Sequence, residues 1–171
     1  SNIHLGVEAL WNHLMNFPSI QFGMEQAFLS LKSEEPMLLY PSGFTRNSAP
    51  IPINGLIWMG DEAFMQAQIE EKLEQGFRCI KLKIGGLDFM KELTILASIR
   101  KKYSKAKIEL RLDANGAFAA DRALEKLNIL SDYDIHSIEQ PIKQGNPWTM
   151  RVLCAKTPIP IALDEELIGI F

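Results

Sequence analysis

The chain has 171 residues, 47% of them apolar and 23% charged, with a formal net charge of −3. That is the profile of a globular protein whose length suits one ordinary domain or parts of two. It lacks the cationic excess expected of a nucleic-acid or anionic-membrane binder. No apolar run approaches the roughly 20 residues that span a bilayer, so a soluble cytoplasmic protein is the expectation. Cys79 and Cys154 sit in apolar contexts without metal-type spacing, and buried reduced thiols are expected rather than a disulfide.

In chain order, Val7 to Phe17 and Phe22 to Leu31 read as helices joined by Pro18-Ser19. Pro36 and Pro41-Ser42-Gly43 then mark loops. Residues 1–48 thus form a helical region of their own, with a linker near Thr45 to Pro50. From Pro50 onward a second pattern takes over. Ile51 to Trp58 is an apolar run that predicts a strand, and Asp61 caps a helix that Gly76 ends. Cys79 to Ile84 is a strand closed by Gly85-Gly86, and Asp88 to Tyr103 is a helix. Strand Ile108 to Asp113 leads to a helix over Ala120 to Leu130, capped by Asp121 or a neighbour. Ile135 to Glu139, a helix from Pro147 to about Cys154, and Ile159 to Asp164 complete the series.

Strands alternating with helices every 25 to 30 residues or so argue for βαβ units around a parallel sheet. Residues 49–171 would then supply the first five units of a partial (β/α) barrel, a fold that needs eight strands and about 250 residues. An open doubly wound sheet and an antiparallel sheet are the alternatives. The physical clue is the alternation of side chains. Residues two apart on a strand share a face. Ile80, Leu82 and Ile84 share one face, and Lys81 and Lys83 the other; Ile108, Leu110 and Leu112 oppose Glu109, Arg111 and Asp113. Ile161 and Leu163 likewise oppose Ala162 and Asp164, while Ile135 and Ser137 are expected on the face of Glu139. Parallel strands are normally apolar on both faces. In a barrel the charged face points inward, where unpaired charges cost several kcal/mol each.

Four consecutive strands end in Lys83, Asp113, Glu139 and Asp164, the end at which (β/α) barrels build active sites. Each has a dull reading alone: an Asp after a strand is often a helix cap, and a Lys there often snorkels to the surface. Their recurrence is what carries weight. Three carboxylates from adjacent strands suit Mg²⁺ or Mn²⁺. Together with Lys81, Lys83, Arg111 and Glu109 they leave one net negative charge, which a divalent cation reverses in favour of an anionic substrate.

Four segments carry a resemblance: Lys81-Leu82-Lys83, the run from Arg111 to Phe118, Ile138-Glu139-Gln140-Pro141, and Ala162-Leu163-Asp164-Glu165-Glu166. They resemble the successive motifs of the enolase superfamily, in its muconate-lactonizing branch, and look most like its o-succinylbenzoate synthase group of menaquinone biosynthesis. Asn54-Gly55-Leu56-Ile57 fits too, and Pro18 to Leu31 resembles the tail of that family's capping domain. The resemblance implies a Mg²⁺-dependent lyase acting on a small anionic carboxylate, with Asp113, Glu139 and Asp164 as metal ligands. Lys83 would remove the proton α to the carboxylate and return it as water leaves. Lys81 and Arg111 would help electrostatically, with Asn115, Glu165 and Asn54 as orienting or substrate-side residues. It also implies a second active-site lysine on the strand after the fifth, beyond Phe171. The remainder of the chain would then be needed to close the barrel, and the piece alone would lack activity. Dipeptide epimerases or N-acylamino acid racemases of the same branch are the alternative, and a non-catalytic binding module on a degenerate barrel is another. A phosphate site at Gly85-Gly86 is a third reading. His4, His13 and His136 lack ligand spacing and are expected at the surface or in packing. Trp58 is expected to line a pocket or to pack.

Overall fold

The computed structural model describes residues 7–170; His4 lies outside them. The chain divides into two compact units, residues 1–52 and 53–171. Among the described residues no helix is long and apolar enough to cross a membrane.

The first unit holds helices α1 (Val7–Leu14) and α2 (Pro18–Lys32). Pro18 begins α2 instead of bridging two helices: at the first helical position its missing N–H costs nothing and its φ is already helical. The following stretch is irregular. Ser42 and Thr45 close a turn there by each accepting the other's backbone N–H.

The second unit is a five-stranded sheet with helices between its strands. The elements are β1 (Gly55–Ile57), α3 (Glu62–Glu74), β2 (Cys79–Lys83), α4 (Phe89–Lys102), β3 (Glu109–Asp113), α5 (Ala123–Leu130), β4 (Ile135–Glu139), α6 (Pro147–Lys156) and β5 (Ile161–Ala162). Sheet order is chain order, and all four pairings are parallel. This removes the antiparallel alternative. It also removes the doubly wound sheet, whose strand order must reverse at a switch point. Successive neighbours without reversal are the wall of a (β/α) barrel.

Local chemistry sets the boundaries. Asp61 caps α3 by accepting the Phe64 N–H at 2.8 Å, and Asp88 caps α4 through the Met90 N–H at 3.0 Å. Gly76, at φ +89°, turns the chain out of α3. β1 is shorter than the apolar run Ile51 to Trp58, since Pro52 cannot donate to a ladder and only Gly55–Ile57 pair with β2. Helix α5 starts at Ala123, later than expected, and Asp121 does not cap it. The preceding residues are tied to the next loop instead: Ala117 and Phe118 bridge to Ile142, and the Phe118 N–H reaches the Pro141 carbonyl.

The predicted alternation holds in β2 and β3. Ile80, Leu82, Leu110 and Leu112 are buried, together with Ile69, Leu96 and Leu127 of the helices. At roughly 1.5–3 kcal/mol per buried Leu or Ile side chain, this layer is the main source of stability. In β4 the pattern differs from expectation. Leu110 pairs with Ile135 but Arg111 pairs with Ser137, leaving His136 as an extra residue. This β-bulge restores phase. Ile135 is buried opposite Leu110 and does not share the Glu139 face, whereas Ser137 and Glu139 align with Arg111 and Asp113.

Candidate active site

The register stacks the polar face of the sheet in rungs. Cys79 stands beside Glu109; one step on, Lys81, Arg111 and Ser137 align; at the carboxyl ends Lys83, Asp113, Glu139 and Ala162 align. Parallel strands hold such neighbours about 4.8 Å apart, so oppositely charged side chains meet without reaching.

Asp113 is the hub. Its side chain is 2% exposed, and Oδ2 accepts from Lys83 Nζ at 2.9 Å and faces Lys81 Nζ at 3.1 Å. Oδ1 accepts the Asn115 backbone N–H at 3.1 Å. Burial alone would raise the Asp113 carboxyl, but hydrogen bonds from Lys83 and Lys81 outweigh it and hold it below the ordinary carboxylate value. Lys81 Nζ reaches up one rung to Glu139 Oε2 at 2.7 Å. Burial would lower that amine, yet the bonds to Glu139 and Asp113 win and hold it above the usual lysine value. Lys83 Nζ also donates to Asn115 Oδ1 at 2.6 Å, and Asn115 Nδ2 donates to Glu165 Oε1 at 3.0 Å. Because a carboxylate only accepts, Glu165 fixes which way round the Asn115 amide sits. Glu165 Oε2 is buried without a hydrogen-bond partner.

Lys81, Lys83, Asp113, Glu139, Asn115 and Glu165 therefore form one connected cluster at the carboxyl edge. Asp164 lies beyond it. β5 ends at Ala162, the Asp164 backbone leaves strand geometry at φ −130°, ψ −85°, and its exposed carboxylate takes no part in the network. Accordingly, no group of three His, Cys, Asp or Glu side chains among the described residues is gathered closely enough to hold a metal ion. The donor set still fits a hard divalent cation in kind. All three groups are carboxylates, Asp113 and Glu139 are register neighbours, and the Asp164 N–H is tethered at 3.1 Å to the side chain of Gln140, the residue after Glu139.

Other expected residues fall elsewhere. Asn54 precedes β1, level with Cys79 at the amino ends of the strands; that is about four residues, or ~13 Å, from the Lys83 rung, too far to orient a ligand there. Arg111 sits one rung below the cluster and pairs with Glu109 at 2.7 Å. The Gly85-Gly86 loop offers no phosphate cradle. The buried Glu92 carboxylate folds back from α4 and accepts the Gly85 and Leu87 N–H groups. Burial pushes that carboxyl up, against the pull of these bonds. Gly85 is required there, since at φ +91° a Cβ would lie 2.3 Å from the Ala117 Cβ. The Trp58 indole is exposed, with its backbone clamped by Gln68. His136 is the bulge residue, and its Nδ1 lies 3.0 Å from Ser137 Oγ.

Both cysteines are free thiols, but only Cys79 is half-buried; Cys154 is exposed, contrary to expectation. Burial and a 3.4 Å hydrogen bond to Glu109 push the Cys79 thiol up to about 11. At pH 8, iodoacetamide should label Cys154 rapidly and Cys79 only after unfolding, as mass spectrometry of the two peptides would read. The folded state holds the Cys79 proton more tightly than the unfolded chain, whose thiols ionise near pH 8.5. Its contribution to stability is complete below that pH and is lost as the pH rises through about 11.

Sequence reasoning gave Gln140 no role of its own, although it belongs to the Ile138-Glu139-Gln140-Pro141 segment. It is fully buried, adopts a left-handed φ of +38°, and joins the end of β4 to the loop after β5. A lone glutamine before a proline gives no periodicity to find it by.

Residues 64–171 match the family model described as "Enolase C-terminal domain-like". The chain is 52% identical over 154 residues to o-succinylbenzoate synthase of Desulfotalea psychrophila, covering 90% of this chain and 42% of that protein. The crystal structure of MenC from the same organism superposes with a TM-score of 0.74 at 44% identity, covering 96% of this chain and 48% of that one. An o-succinylbenzoate synthase structure from Thermosynechococcus elongatus BP-1, complexed with Mg in the active site, gives a TM-score of 0.62 at 27% identity. It covers 68% of this chain and 37% of that one. The chain thus spans less than half the length of these relatives.

Proposed function

We propose that this chain, a member of the enolase C-terminal-like family, is part of a Mg²⁺-dependent lyase of the o-succinylbenzoate synthase type. The protein would remove a proton α to a carboxylate and eliminate water in menaquinone biosynthesis, in the cytoplasm. The carrying observation is the convergence of Lys81 and Lys83 on Asp113, beside Glu139, at the carboxyl edge of the sheet. Residues 53–171 would supply the first five βα units of the barrel and residues 1–52 the end of a capping domain. The rest of the barrel would come from the remainder of the chain.

Asp113, Glu139 and Asp164 would hold the Mg²⁺, with Mn²⁺ as a substitute. When bound, the cation supplies a positive charge that stabilises the anion developing on a carboxylate substrate. Lys83 is the base. Its neutral amine takes the α proton, the C–H electron pair becomes the new C=C bond, and the β C–O bond breaks. The departing hydroxide takes the same proton back from the Lys83 ammonium, leaving water. Lys81, bridging Asp113 and Glu139, keeps positive charge beside the substrate carboxylate. Asn115, oriented by Glu165, holds the Lys83 amine toward the reacting carbon. Arg111 acts on this site only through the field of its ion pair with Glu109.

The test is an assay of the full-length protein with Mg²⁺. Appearance of aromatic o-succinylbenzoate absorbance from its dehydration substrate is the expected result. Deuterium exchange and epimerisation of dipeptides, without dehydration, would replace this reading with the epimerase one. The absence of either reaction would leave a non-catalytic barrel.

A further inference from the structure

The Gln140 side chain uses its full hydrogen-bonding capacity. Oε1 accepts the backbone N–H of Asp164 at 3.1 Å and of Glu166 at 3.2 Å. Nε2 donates to the Ile142 carbonyl at 3.0 Å and to Glu166 Oε2 at 3.3 Å. The backbone of the same residue extends the ladder, its N–H bonding the Ala162 carbonyl at 3.0 Å. Glu166 closes the clamp from the other side by accepting the Gly145 N–H at 3.3 Å. β5 has ended two residues before Asp164, so no strand partner is left to fix this backbone. A fully buried amide does it instead.

We infer that Gln140 is the positioning residue for the Asp164 carboxylate: it locks the backbone from Asp164 to Glu166 against the end of β4, next to Glu139, so that the third acidic group is presented from a fixed point. This rests on the metal reading above and adds to it the element that fixes the backbone from which the third ligand would reach the other two. The clamp is specific to an amide. Glutamate would keep both acceptors but lose both donors and set a second negative charge beside Glu166. Methionine would fill the same space and leave two N–H groups without partners.

The experiment is Mn²⁺ titration of the full-length protein, with free Mn²⁺ read by electron paramagnetic resonance, for Gln140→Met, Gln140→Glu, Asp164→Asn and the double variant Gln140→Met/Asp164→Asn. Each single Gln140 substitution should weaken Mn²⁺ binding by about tenfold or more, the range typical of residues that orient ligands. In the Asp164→Asn background, Gln140→Met should cost less than about twofold further, because its route to the metal is already gone. A fully multiplicative loss in the double variant, or unchanged affinity in folded Gln140→Met, overturns the inference while leaving the metal site standing. If Gln140→Met fails to fold, Glu166→Ala decides. It removes one arm of the clamp from a half-exposed position, and an affinity equal to the parent's overturns the proposal. A parent protein that binds no Mn²⁺ overturns the metal reading, and this inference with it.

Discussion

Replacing Lys83 with alanine in the full-length protein is expected to lower turnover by at least about 10³-fold, with Mn²⁺ affinity within about threefold of the parent. The split follows from what Lys83 touches. Its amine contacts Asp113 Oδ2 and Asn115 Oδ1 and is one of two lysine amines on that carboxylate. Its loss leaves Lys81 on Asp113 and leaves Asp113, Glu139 and Asp164 chemically intact. A positioned base contributes roughly 10²–10⁴-fold, and the proposed part in both proton abstraction and water departure would place Lys83 toward the upper end. Lys83→Arg should not rescue, because a guanidinium stays protonated. Steady-state kinetics beside a metal titration checks both halves. Turnover within tenfold of the parent would remove Lys83 from its role.

The second large effect is expected at Asp113. Asp113→Asn should lower Mn²⁺ affinity by about 10²-fold or more, abolish measurable turnover, and lower unfolding free energy by about 2–4 kcal/mol. The stability loss comes from leaving two lysines on a partly buried face without their shared counter-charge. The loss stays below the deeply buried extreme because both lysine side chains are about one-fifth exposed. The pH dependence has a definite sign. The folded Asp113 carboxyl lies below its ordinary value, so its contribution is present above about pH 4 and is lost as the pH falls through the folded value. Urea melts of parent and variant should differ at pH 7 and converge toward pH 3. A constant gap across that range would mean that the ion pairs contribute nothing.

These features were unequally legible in the sequence. The barrel wall could be read because Lys81 and Lys83 alternate with Ile80 and Leu82, and because that inversion recurs at Arg111 and Asp113. Period-two alternation is a local property, and residue types report it directly. Lys83, Asp113 and Glu139 could be read for the same reason, each ending a strand, whereas β5 stops at Ala162 and leaves Asp164 outside that pattern. What stayed hidden depends on pairing between strands. Asn54 lies in an apolar strand-like run, but only the register shows it at the opposite end from Lys83. The placement of Ile135 turned on one unpaired residue that no composition signal marks. Cys154 follows an apolar run, yet the helix face it occupies is turned to solvent. Glu92 buries its carboxylate against amides of the loop just before its own helix, and Gln140 its amide against a loop far along the chain; side-chain identity alone does not disclose such partners.

The extra residue at His136 has a consequence for how this sheet tolerates changes of length. Along β2 or β3, losing or gaining one position would invert every following side chain, turning lysines and acids toward the helices and aliphatic groups toward the barrel interior. At His136 the ladder already carries one residue more than pairing requires. Excising it would leave Leu110 opposite Ile135 and Asp113 opposite Glu139. Within β4 a one-residue deletion can therefore be absorbed at this point without moving the charged edge.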